Sequence, residues 1–336
     1  MVEVIKKYPE GVDFLELKND KLTVVVTNYG CTIQKILAKD KNGNLQDIVL
    51  GYDELKDYQE QDAWLGAFVG RYANRIKGAE FSLNNETYTL PANEGKNQLH
   101  GGVKGFSHRV FDYTYSDNEI IFSRVSPDGE EGYPGTLTLD LHYILKEDAL
   151  VLRYEAKSDK DTIINLTNHS YFNLAGHPCS VGNQIVSVQA DRYCPVDGEG
   201  LPTREESVEA TPYDLRKPTV IQDILDNNHP EIKRIKGIDN PFLFAPEASK
   251  DQVHLYNPDN GLNLLISTNA PGCQVYIACA LTERIGKGGQ TMGPHNAICF
   301  EPQFKPNDIN TEDHPGSILK AGETYISETS YRVYAQ

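Results

Sequence analysis

The chain has 336 residues, 24% charged and 39% hydrophobic, with a formal net charge of −16. That balance excludes a disordered or fibrous chain, and a chain of this length buries enough surface to need neither disulfides nor a structural metal. The acidic surface argues against nucleic acid and anionic membranes as partners and leaves a small neutral ligand open. Met1 to Lys7 lacks the apolar stretch of a secretory signal, and no run approaches the roughly 18 apolar residues of a membrane helix. Cys31, Cys179, Cys194, Cys273, Cys279 and Cys299 include no C-x-x-C pair. These features predict a cytoplasmic protein with reduced core thiols.

In chain order, residues 22–26 form an apolar β-branched run that reads as a strand. Residues 33–38 read as a second strand, leading into a turn over 40–44 that contains Asn42-Gly43, a strong hairpin signal. A short helix is expected over 52–59. Phe81 and Leu83 alternate into Asn84-Asn85, and Tyr88 and Leu90 alternate out, which predicts another hairpin. Leu137, Leu139, Leu141, Tyr143 and Leu145 share one face at period two, and Leu150, Leu152 and Tyr154 return after a turn at 146–148. A second short helix is expected over 219–228. Elsewhere helical periodicity is weak. Many strands joined by Gly, Pro, Asn and Asp turns predict a mainly β fold, a large antiparallel β-sandwich. No linker-like stretch divides residues 1–336, so a single domain is expected.

Familiar cofactor signatures fail. Gly286-Lys287-Gly288-Gly289 lacks the upstream glycine and following helix of a phosphate loop. His100-Gly101-Gly102 resembles an esterase oxyanion segment, but no G-x-S-x-G elbow accompanies it. H-E-x-x-H is missing, and Asp40 to Asn44 has its glycine out of place for a calcium loop. The expectation is no cofactor and no metal, leaving chemistry that side chains perform alone.

Five stretches place polar or titratable residues among apolar and aromatic ones: Gly70 to Ile76, Asn97 to Gly102, Asn165 to Leu174, Gly237 to Phe242 and Cys299 to Gln303. Each has a plain structural alternative. A lone strand histidine is more often a hydrogen-bonded core residue than a catalyst. Glu301 could simply salt-bridge an arginine such as Arg75. Arg71 and Arg75 could be rim charges, and Asp239 could be a turn former.

Taken together and in this order, the five stretches resemble the aldose 1-epimerase (galactose mutarotase) family. Further matching stretches are Ser126 to Gly135, Ala190-Asp191 with Pro195 to Asp197, Thr211 to Asp214, Pro271 to Tyr276 and Ala321 to Tyr325. The resemblance runs almost end to end. It implies the galactose mutarotase-like supersandwich, with a monosaccharide bound in an open cleft on one sheet. It also implies roles. Glu301 is the general base at the anomeric hydroxyl, and His169 is the general acid at the ring oxygen. His100 hydrogen-bonds near that oxygen. Asn74 and Arg75 bind and polarise sugar hydroxyls, and Asp239 and Gln274 bind others. Departures from the family pattern are Phe111 for Trp, Asn240-Pro241 for His-Asn and Ile277-Ala278 for Thr-Gly. The last two bear on sugar preference rather than on the reaction.

Mutarotation requires one proton acceptor and one donor, which a carboxylate and an imidazolium supply. A free glutamate is a weak base and a free histidine mostly neutral at neutral pH, so the site is expected to correct both. Burial beside Phe300 should raise Glu301, with Arg75 opposing, and Glu301 and Asp239 should keep His169 protonated. Tyr72, Tyr171 and Phe172 are candidate sugar platforms, each equally explained by core packing. The glycine-rich loop 286–294 could fold over the cleft. The alternatives are a hexose-6-phosphate 1-epimerase, which should gather extra cations for the phosphate, a catalytically silent sugar-binding protein, and a purely structural sandwich. A monomer or homodimer is expected, with no nucleic-acid or membrane partner.

Overall fold

The computed structural model describes residues 1–60, 62–245, 250–311 and 316–336. The period-two stretch becomes strands Leu137–Lys146 and Ala149–Ser158, paired antiparallel. Leu141 stands opposite Tyr154, Tyr143 opposite Leu152 and Leu145 opposite Leu150, so the apolar residues of both strands bury one shared face. This hairpin belongs to a nine-stranded antiparallel sheet. Its order is Asp112–Tyr115, Glu119–Ser126, Leu137–Lys146, Ala149–Ser158, Thr324–Ala335, Leu262–Thr268, Val253–Tyr256, Ile185–Val188 and Thr219–Val220. The last strand of the chain lies inside the sheet, between Ala149–Ser158 and Leu262–Thr268.

A five-stranded antiparallel sheet runs Val2–Lys7, Asp13–Lys18, Leu22–Thr27, Thr32–Lys39 and Leu45–Asp47. Leu22–Thr27 is buried at every position, as a continuous apolar run demands. The turn before Leu45 is held by Asp40, whose Oδ1 accepts from the backbone N–H groups of Asn42 and Asn44 at 2.9 Å each. The expected hairpin after residue 80 is present as Glu80–Leu83 and Glu86–Thr89.

A third, six-stranded sheet has the order Tyr171–Phe172, Ile298–Gln303, Gly272–Tyr276, Asp239–Phe244, Ala190–Tyr193 and Glu206–Ser207. Its strands are apolar on both sides. Phe300 and Val275, which face each other in register, join the main core with Phe68, Phe172 and Tyr331. Cys299 and Tyr276, the neighbouring pair, join a second apolar cluster with Tyr52, Tyr58 and Leu65. Pleating therefore turns Glu301 and Gln274, also paired in register, away from the main core.

The two expected helices are present but short, Leu55–Glu60 and Ile221–Leu225. A third, Pro230–Ile235, was not expected; it starts on a proline and ends on Lys236 in left-handed backbone at φ 64°. All six cysteines are free, four buried and two half-buried. Among the described residues no helix is long and apolar enough to cross a membrane.

Candidate active site

Four local structures deliver the polar residues to one place. Arg75–Ile76 pairs with Gln98–Leu99, so Asn74 and His100 sit side by side where that short ladder ends. The His100 N–H donates to the Asn74 carbonyl at 3.1 Å, and the Asn74 N–H donates back to His100 Nδ1 at 3.2 Å. This second bond makes Nδ1 an acceptor and leaves the ring proton of neutral His100 on Nε2. Gly101 and Gly102 have φ of 85° and 105°, and Gly101 packs against the Gly70 carbonyl so closely that a side chain has no room. His169 lies between Thr167–Asn168 and Tyr171–Phe172, its backbone bonded to Ala67 and Gly66 at 2.9 Å each. Glu301 comes from the six-stranded sheet, and Asp239 from the start of Asp239–Phe244.

These residues line a cleft of about 200 Å³ together with Asp62, Trp64, Glu94, Tyr171, Tyr276 and Arg284. His169 Nε2 is 3.6 Å from Glu301 Oε1, and both side chains are almost fully buried, at 6% and 2% exposure. The His169 ring stacks on Tyr171 with centroids 5.0 Å apart and meets His100 edge-on at 5.4 Å. Trp64 packs on the other histidine, His100, at 4.6 Å. His169 Nδ1 and Glu301 Oε2 are buried without a hydrogen-bond partner. Such groups are costly in a fold and common where a ligand binds. Trp64, Asn74 and His100 all hold left-handed backbone, at φ 51°, 62° and 51°. Each such position costs about 1–3 kcal/mol, a strain that clusters at functional sites.

Burial sets the proton affinities. It pushes Glu301 well above the usual carboxylate range, aided by Asp239 and opposed by Arg75. It pushes His169 down to about 4, and His100 well below its ordinary value, with the His169 and Arg75 charges adding to the effect. Asp239 is raised by burial, against the pull of Arg75 and a 2.7 Å bond accepted from Gln274 Nε2. His100, His169 and Glu301 each bring one ligand atom within 4.8 Å of the others, a donor set that a divalent cation could also take.

Several expectations need correction. Neighbouring carboxylates do not raise His169; loss of water around the ring lowers it, opposed by a hydrogen bond to its own backbone. Arg75 does not pair with Glu301. Its Nε and Nη2 donate to both oxygens of Glu94, at 2.7 and 2.6 Å. Arg71 is no rim charge but a fully buried strut. It donates to the carbonyls of Ser126, Pro127, Pro134 and Gly135 at 2.8–3.1 Å and to Ser126 Oγ. Of the three candidate platforms only Tyr171 reaches the cleft; Tyr72 and Phe172 are core residues with no exposure. Gln274 touches the site through Asp239 and does not line the cleft. The loop 286–294 stays clear of it. Lys287 is tethered to Asp47 and to the carbonyls of Gln34 and Val49 at 2.7–2.8 Å. Ala280, Leu281, Thr282 and Arg284 form that wall instead. Sequence reasoning missed Trp64, Glu94, Tyr276 and the Arg284–Asp62 pair; Trp64, the only tryptophan, carried the one available signal, a large aromatic beside acidic residues.

Comparisons with known proteins point to one family. Residues 13–332 match the family described as aldose 1-epimerase. The galactose mutarotase of Bos taurus is 39% identical over 327 residues, covering 96% of this chain and 94% of that one. Among solved structures, the GalM/aldose epimerase homologue from C. elegans superposes with a TM-score of 0.90 at 28% identity, covering 96% of this chain and 99% of that one. The galactose 1-epimerase from Lactobacillus acidophilus NCFM superposes with a TM-score of 0.87 at 30% identity, covering 100% and 98%. On its sequence and its β-rich fold, the chain belongs to the aldose 1-epimerase family.

Proposed function

We propose that the protein interconverts the α and β anomers of free aldoses, with galactose the first candidate, and that Glu301 and His169 carry the proton transfers. The observation behind this reading is the buried pair 3.6 Å apart, facing a polar cleft of about 200 Å³. Glu301 takes the proton of the C1 hydroxyl while His169 gives one to the ring oxygen. The C1–O5 bond breaks and an open-chain aldehyde forms. Rotation about C1–C2 presents the other carbonyl face, and the same transfers in reverse close the ring. The proton count of the site is unchanged over the cycle. His100 donates through Nε2 near the ring oxygen. Asn74, Arg75 and Asp239 bind hydroxyls, with Gln274 orienting Asp239.

Opposite shifts at Glu301 and His169 fit a pair that holds one proton between them. With the proton on Glu301 both groups are neutral, which burial favours. With it on His169 they attract by about 5 kcal/mol at 3.6 Å and an effective dielectric constant of about 20. The second form is the working one, and the attraction offsets the cost of burying its charges.

A sugar phosphate fits less well. Among the described residues lining the cleft, the cations are Arg75 and Arg284, and each is already paired, with Glu94 and Asp62. The same reading takes residues 1–336 as one domain, active as a monomer or homodimer in a reducing cytoplasm, in keeping with six free cysteines. Polarimetry on fresh α-D-galactose and on galactose-6-phosphate tests it. Acceleration with the free sugar supports the proposal, and acceleration confined to the phosphate overturns it.

A further inference from the structure

A guanidinium can recognise a sugar hydroxyl only if its plane is held still, and Arg75 is held from several sides. The parallel bonds from Nε and Nη2 to the two Glu94 oxygens fix orientation as well as charge. The backbone of Gly200 lies against the same group: a Cβ there would stand 2.7 Å from Nη1 and 2.8 Å from Cζ. The Arg75 N–H is bonded at 2.9 Å to Asn74 Oδ1.

Glu94 is itself fixed. Its N–H donates to the Asn97 carbonyl at 3.2 Å, and the Asn97 N–H returns a bond at 2.9 Å. The preceding residue, Asn93, donates through Nδ2 to the carbonyls of Leu99 and Gly102 at 3.0 and 3.1 Å and accepts from the Leu99 N–H at 2.7 Å. The loop that carries the carboxylate is thus stitched to the chain on both sides of His100. Glu94 also stands between two cavities, the cleft and an adjoining groove of about 440 Å³, which share Arg75, Glu94 and Asp239. An exposed ion pair would be worth little. This one borders the site, its arginine is only 17% exposed, and it is bidentate.

We propose that Glu94 is a positioning residue for sugar recognition, holding the Arg75 guanidinium in one fixed orientation at the cleft. The proposal rests on the reading of Arg75 as a sugar ligand. Because the bond to the sugar is made in ground state and transition state alike, its loss should appear in KM rather than kcat. Arg75→Lys cannot accept the two-pronged grip, so in that background Glu94 has nothing to position.

The test is a double-mutant cycle with wild type, Glu94→Gln, Arg75→Lys and the double variant. Each is assayed by polarimetry and by galactose titration of the fluorescence of Trp64, the only tryptophan and a cleft residue. Glu94→Gln should raise KM and the titrated Kd about tenfold, with kcat changed less than about threefold and an unaltered melting curve. The same substitution should cost nothing further in Arg75→Lys. An unchanged KM and Kd in Glu94→Gln, or equal costs in both backgrounds, would overturn the proposal. A wild type that binds galactose without turnover would overturn the mutarotase reading instead, while the titrations still judge the role of Glu94.

Discussion

His169→Asn removes an imidazole whose pKa burial lowers from 6.5 to about 4. Between those two values the unfolded chain takes up a proton that the folded protein refuses. The stability linked to this group is therefore complete above about pH 6.5 and is lost as pH falls toward 4. The full difference corresponds to about 3 kcal/mol, and the part spent between about pH 7 and about pH 5 is about 2 kcal/mol. Asparagine does not titrate, so the variant should escape that loss. Urea unfolding of both proteins at the two pH values measures it, and titrating groups remote from His169 cancel in the difference between them. The wild type should lose about 2 kcal/mol more than His169→Asn on acidification. Equal losses would mean that the folded, sugar-free protein holds His169 as imidazolium against a Glu301 carboxylate, and that burial does not control this ring.

Glu301→Gln should lower kcat by about 10² to 10⁴, or roughly 3–5 kcal/mol of barrier, in polarimetry. Its carboxyl is raised by burial, so the wild-type side chain costs stability as pH rises through its folded pKa; the Gln variant should melt no lower than wild type near neutrality and gain on it as pH rises. Arg71→Leu removes the buried donors to four backbone carbonyls, of which Pro127 keeps the Glu130 N–H, and should cost about 3 kcal/mol or more; a wild-type melting temperature would refute the assignment of Arg71 as a strut. Chelation and dialysis should leave turnover intact; loss of activity restored by one divalent metal would make His100, His169 and Glu301 a metal centre.

Elements set by local pattern were legible in the sequence. The 137–154 hairpin needs only period-two alternation and a turn, and the turn at 40–44 needs only Asp40 accepting its own backbone. Pro230–Ile235 escaped because one and a half turns leave no periodicity to read. Five collinear stretches name residues that the fold brings to one cleft, but not what surrounds them. Glu94 and Arg284 reach the cleft by tertiary closure, from segments whose local pattern carries no mark of it, and Trp64 is marked only as a lone large aromatic. Arg71 and Arg75 lie four residues apart in one stretch, and only the folded chain shows one buried as a strut and the other turned to the cleft. The protonation of His169 is illegible in the sequence for the same reason. Neighbouring charges can be listed from a family pattern, whereas the loss of water that lowers His169 belongs to the packed structure.

Turnover of a free aldose by the buried carboxylate–imidazole pair is the central claim. Optical rotation of freshly dissolved α-D-galactose should relax faster than in buffer with wild type, and at close to the buffer rate with folded Glu301→Gln and His169→Asn. A wild type that leaves galactose, glucose and other free aldoses at the buffer rate, or variants that keep full activity, would contradict it.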